Sequence, residues 1–191
     1  MIRNLDIGDA LSALRPNCEY MLEGENYSGI TWLDKNQTLP TEKEVELKLV
    51  EIKYQEEVNV YREKRKLEYP DWADQLDQIY HNGIDAWKAD VKAIKNKYPK
   101  QTMDTTELQK RKDAVVFKLQ KRDYEKAIAR LAQYELSAGL KDNIGRYTIE
   151  PLPLIVGNER NPLIVQDEKE RDEARKVINN TPQAVIDSIN T

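Results

Sequence analysis

The sequence predicts an α+β chain that is predominantly α-helical. Long stretches carry apolar residues at three- and four-residue steps between capping residues and prolines. A pair of short β-leaning runs sits near the start, and a stretch rich in proline and β-branched residues lies towards the end. Of the 191 residues 34% are charged and 39% hydrophobic, so thin cores and much solvated helix surface are expected.

Taken in order, the first element is a short helix from Ile7 to Leu14, with Asp6 as N-cap and Pro16 closing it. "CEYMLEGENYSGITWL" then reads as a hairpin, with runs Cys18 to Leu22 and Ile30 to Leu33 around a cluster of Gly, Asn and Ser. Tyr20, Leu22, Ile30 and Trp32 share one face by alternation, and the first helix is expected to cover it. Thr41 and Glu44 stand in capping-box spacing and open a helix from about Glu42 to Lys66. Its stripe of Val45, Leu49, Ile52, Val58 and Tyr61 is broken, which predicts a helix lying on a neighbour rather than inside a core.

"YPDWADQLDQIYHNGIDAWKADVKAIKNKYPK" is the most regular amphipathic stretch. Trp72, Leu76, Ile79, Tyr80, Ile84, Trp87, Val91, Ile94 and Tyr98 fall on one helical face, with Asp71 and Asp74 at the start and lysines at the end. Asn82 and Gly83 interrupt it, the glycine at a cost of roughly 1 kcal/mol, and mark a kink or a close approach to a partner. Pro99 to Thr105 forms a boundary. Beyond it a helix from about Thr106 to Ala138, stopped by Gly139, carries a weak heptad of Phe117, Tyr124, Leu131 and Ala138, with Ala127 and Tyr134 at the complementary step. "GRYTIEPLPLIVGNERNPLIVQ" predicts two short edge strands and a "GNERNP" turn. A helix from Asp167 to Asn179 follows, then a short one with Thr181 as N-cap and Pro182 at its first position. The expected segments are therefore 1–68, 69–104 and 105–191.

Composition bounds the function classes. A net charge of −4 gives no reason for nonspecific attraction to nucleic acid or anionic lipid. Cys18 is the only cysteine, which excludes an internal disulfide and any cysteine-rich metal site. The first residues lack a signal-peptide apolar run and no stretch approaches the ~20 apolar residues that span a bilayer, so cytosolic synthesis without membrane insertion is expected.

Chemistry-bearing patterns are sparse. His81 is the single histidine and has no second imidazole to join it in a metal site or a hydrolase dyad, so a structural or surface role is expected. Asp74, Asp77 and Asp85 share its helix, but acidic residues on an amphipathic helix are ordinarily its solvated side. "GENYSG" lacks the lysine and hydroxyl residue of a phosphate loop. No catalytic residue, cofactor or metal is expected. The basic run Lys110, Arg111, Lys112, Lys118, Lys121, Arg122, Lys126 and Arg130 is diluted by Asp113, Asp123 and Glu125, which favours helix surface or an acidic protein partner over nucleic acid. What remains is aromatic surface at helical spacing. The expected interface residues are Trp72, Ile79, Tyr80, Trp87, Val91, Tyr98, Phe117, Tyr124 and Leu131.

"ADQLDQIYHNGIDAWK" resembles a segment of small tail-region proteins of tailed bacteriophages, often labelled tail assembly chaperone or tail fibre protein. "IGDALSALRP", the hairpin and "GITWLDKNQTLPTEKEVE" resemble the XkdW-type tail-region domain of Bacillus prophages, and "NPLIVQDEKERDEARKVINNTPQAVIDSI" is similar to carboxy-terminal segments of such proteins. The resemblance implies a non-catalytic adaptor of the virion tail, made in the host cytoplasm, that joins tail, baseplate or tail-fibre proteins. The alternative it implies is an assembly chaperone absent from the mature virion. A homo-oligomer is compatible with both.

Overall fold

The computed structural model describes residues 4–137, 140–141, 147–149, 155–156, 159–160 and 162–190. Most of these are helical, with short antiparallel strand pairs, and the fold is α+β, predominantly α-helical. The chain divides into two compact units, Met1–Val115 and Val116–Thr191. The expected segments 1–68 and 69–104 both lie in the first unit, and 105–191 is shared between the two.

The first unit begins with α1 (Ile7–Leu14), where Asp6 and Asp9 exchange side-chain to backbone bonds of 3.1 Å in a capping box. Strands β1 (Tyr20–Leu22) and β2 (Ile30–Trp32) pair antiparallel, Tyr20 opposite Trp32 and Leu22 opposite Ile30. Gly29 is required at their turn, because a Cβ there would stand 1.9 Å from the Glu23 carbonyl oxygen. The four residues expected on one face do share it, packed on a core of Ile7, Ala10, Leu11 and Val45. Three buried-side hydrogen bonds lock the aromatic ring: Tyr20 donates to the Gly8 carbonyl, Tyr27 to that of Pro40 and the Trp32 indole to that of Gln37.

Helix α2 (Glu42–Glu68) starts from the expected Thr41 and Glu44 capping box. It does more than lie on a neighbour: Val45 is fully buried against α1, and Tyr54 and Val58 are buried further along. The broken stripe concealed this because Tyr54, the residue that continues it, carries a polar hydroxyl. That oxygen accepts the Asp104 backbone N–H at 3.3 Å, while the Arg111 guanidinium lies 4.5 Å over the ring. Helix α3 spans Trp72–Lys97 and α4 spans Thr105–Ser137, the latter capped by Asp104, whose carboxylate accepts the N–H of Thr106 and Glu107. Arg111 and Lys112 of α4 reach Glu57 and Glu51 of α2 at 2.8 and 3.1 Å.

In the second unit the distal part of α4 is described with β3 (Leu140–Lys141), β4 (Tyr147–Ile149), β5 (Ile155–Val156), β6 (Glu159–Arg160), α5 (Pro162–Asn180) and α6 (Gln183–Asn190). β3 pairs with β4 and β5 with β6. Among the described residues its buried apolar side chains are Ala127, Ala174 and Val185. Arg130 bridges Asp167 and Glu170 of α5, and Lys121 donates to the Ser188 carbonyl of α6.

Three expectations for this region are corrected. Glu159 and Arg160, expected in a turn, pair as a strand with Ile155 and Val156. "PLIVQ", expected to be extended, is the first part of α5, because Pro162 takes the first helical position where its missing N–H costs nothing. Thr181 does not cap α6: its hydroxyl donates to the Val177 carbonyl at 2.7 Å and closes α5 instead, leaving the Pro182 carbonyl to receive Val185 and Ile186. Gly139 and Ala138 lie outside the described residues.

Candidate interaction site

α3 is the amphipathic stretch of the sequence, and it is not one straight helix. Gly83 has φ 80° and ψ 163°, a combination open essentially to glycine, and the helical path breaks there. Two hydrogen bonds measure the break. The Trp87 indole donates to Gln75 Oε1 at 3.1 Å, and the Gln78 amide donates to the Asp90 carboxylate. Each pair is twelve residues apart, which a straight helix would hold about 18 Å apart along its axis. The chain therefore turns back at Gly83, and residues 84–97 return along residues 72–82.

The base of this arm is tied to α2. Lys97 and Tyr98 both donate to the Glu68 carboxylate, and the Arg65 guanidinium donates to the Tyr98 and Lys95 carbonyls at 2.8 and 3.1 Å. The Lys97 ammonium, and then the Tyr98 hydroxyl, hold the Glu68 carboxyl below its ordinary value, and Glu68 in turn raises Lys97. Beside this latch an open groove of about 360 Å³ is lined by Tyr61, Lys64, Tyr98 and Pro99 among others. Hydrogen bonding to Arg62, and then charge from Arg62, Lys100 and Arg65, draws the Tyr61 hydroxyl down.

The reversal splits the expected face. Among the described residues α3 carries no buried side chain. Ile79, Trp87, Val91 and Tyr98 are half-buried, whereas Trp72 is 74% and Tyr80 83% exposed, with Leu76 and Ile84 exposed beside them. The outgoing half thus turns Gln75, Gln78 and Ile79 inward and Trp72, Leu76 and Tyr80 outward. Of the α4 candidates, Phe117 is exposed and Tyr124 and Leu131 are half-buried within the second unit. Residue patterns did not point to Gln75, Gln78, Arg65 or Glu68. The Asn82-Gly83 step was the available signal for the turn; the latch, thirty residues apart in sequence, had none.

His81 is mostly exposed, its Nε2 3.3 Å from the Asp77 carboxylate and its ring edge-on to Tyr80. Among the described residues no group of three His, Cys, Asp or Glu side chains is placed to hold a metal ion, and no helix is long and apolar enough to cross a membrane. Along the basic run of α4, Arg111, Lys112, Arg122 and Arg130 are engaged by carboxylates of this chain and Lys121 by a carbonyl. Compared with known proteins, the chain matches no family model, no curated protein and no solved structure.

Proposed function

We propose that this chain is a non-catalytic adaptor that joins tail, baseplate or tail-fibre proteins of a bacteriophage, with the α3 arm as its principal contact surface. The observation that carries the interaction role is the outward face of the arm. Trp72, Leu76 and Tyr80 form an exposed apolar stripe at helical spacing, with Ile84 exposed just past the turn, on an element with no buried residue in a chain otherwise rich in charge. The phage context rests on the sequence resemblance. The internal engagement of the α4 cations supports a protein partner over nucleic acid, since fewer guanidinium and ammonium groups remain for phosphates.

Replacing Trp72 and Tyr80 together by Ser tests the role. Both rings are so exposed that helix content and melting temperature should change little. Incorporation into purified, protease-washed virions, read by mass spectrometry, should be lost. A wild-type chain that is absent from such particles yet restores solubility to a co-expressed fibre protein would instead identify an assembly chaperone.

A further inference from the structure

The geometry points to a second copy of this chain as the partner of α3, paired antiparallel after the arm opens at Gly83. The inference rests on the reading of α3 as an interface. Three features of the arm carry it. The apolar stripe keeps helical phase through the break: Trp72, Leu76, Tyr80, Ile84, Trp87, Val91, Ile94 and Tyr98 would share one side of an uninterrupted helix, although the closed arm divides them. That stripe is also self-complementary. About a twofold axis near position 85, Trp72 of one copy meets Tyr98 of the other, Leu76 meets Ile94, Tyr80 meets Val91 and Ile84 meets Trp87.

Charge follows the same symmetry. Asp71, Asp74 and Asp77 give the outgoing half a charge of −3, while five lysines, Lys88, Lys92, Lys95, Lys97 and Lys100, against Asp85 and Asp90 give the returning half +3. An antiparallel pair sets each acidic half on a basic one. Asp77 and Lys95 lie eighteen residues apart, five full turns, and so flank the stripe on the same side, where they meet across the axis.

Opening has a defined geometry. A straight α3 measures about 39 Å, but Trp72 is within about 14 Å of Glu68 along the chain, so Lys97 cannot stay on its own Glu68. The antiparallel partner brings its own Lys97 to that end, and with it Arg111 and Lys112 to the other copy's Glu57 and Glu51. Contacts between α2 and residues 95–112 are thereby exchanged rather than lost, as in a domain swap. The internal bonds of Gln75 with Trp87 and Gln78 with Asp90 give way to burial of Trp72, Leu76 and Tyr80.

Gly83 controls the balance, because only glycine accepts the closed turn and alanine in its place favours a continuous helix; space is not the constraint, since a Cβ there would meet nothing within 4 Å. Sedimentation equilibrium of the full chain tests this. Gly83→Ala should tighten dimerisation by roughly tenfold or more. Asp77→Lys and Lys95→Asp, each alone, should weaken it, and an equimolar mixture of the two should recover a dimer containing one chain of each. That complementation in the wild-type background keeps the test intact if Gly83→Ala does not fold. Monomeric Gly83→Ala, or a mixture that associates no better than either variant alone, overturns the inference. If that happens while virion incorporation persists, the adaptor reading stands; dimers that never enter virions would leave this inference standing and remove the adaptor.

Discussion

Leu11, Val45 and Ala10 sit at or near zero exposure, and around them the half-buried Tyr20, Leu22, Ile30 and Trp32 complete a core drawn from α1, the hairpin and α2. Fully burying one such aliphatic side chain is worth about 1.5–3 kcal/mol, and in so thin a core each is a large share of the total. Leu11→Ala should therefore lower the stability of the first unit by about 2–4 kcal/mol, measured by urea unfolding followed at Trp32. A loss within a few tenths would mean that the hairpin does not depend on α1. Individual roles at this scale were readable where they were local. Asp6, Thr41 and Asp71 cap the helices that their spacing announced, since a cap reaches only two or three residues along the chain. Thr181 was misread for the same reason, because its hydroxyl has two local choices and takes the carbonyl behind it.

Among the elements, the arm of α3 gives a pH dependence with a definite sign. Glu68 titrates below its ordinary 4.5 in the folded chain, so its contribution to closure is complete above 4.5 and disappears as pH falls through the depressed value. Lys97 titrates above its ordinary 10.5, so its share is complete below 10.5 and disappears only as pH rises through the raised value. The arm should stay latched through neutral pH and loosen in acid. Fluorescence of Trp72 and Trp87, followed from pH 7 downward, should report a transition that Glu68→Gln removes; an unchanged transition in that variant would assign the acid limb elsewhere. Helix existence was legible for α1, α2, α3 and α4, as was the start of each, because amphipathic period, caps and prolines agree. The reversal within α3 was legible only as an interruption, since φ at a glycine is not written in the pattern around it.

For the molecule as a whole, division into two units with thin cores implies that each responds to its own substitutions. Arg130 holds the distal part of α4 to α5 through Asp167 and Glu170, and those carboxylates, Asp167 first, raise its pKa further. Arg130→Ala should weaken the second unit by about 1 kcal/mol, less at high salt, while leaving the first unchanged. Calorimetry should show one of two transitions moving; a common shift of both would mean that the units unfold together. The fold class was available from the sequence because apolar periodicity and turn residues act within a few positions.

Determined by the sequence alone were the helices from α1 to α4 with the caps Asp6, Thr41 and Asp71, the first hairpin with its shared face, and the aromatic stripe with its acidic and basic halves. Tertiary structure alone decided that this stripe folds back at Gly83 and shows Trp72 and Tyr80 to solvent. It also decided that Glu68 meets Lys97 and Tyr98, that Tyr54 is buried beneath Arg111, and that Pro162 begins a helix rather than ending a strand. Periodicity and capping arise from neighbours within one or two turns, whereas a contact across thirty or more residues forms only when the intervening chain returns. Where it returns depends on the packing of the whole unit, to which no short stretch of sequence holds the key.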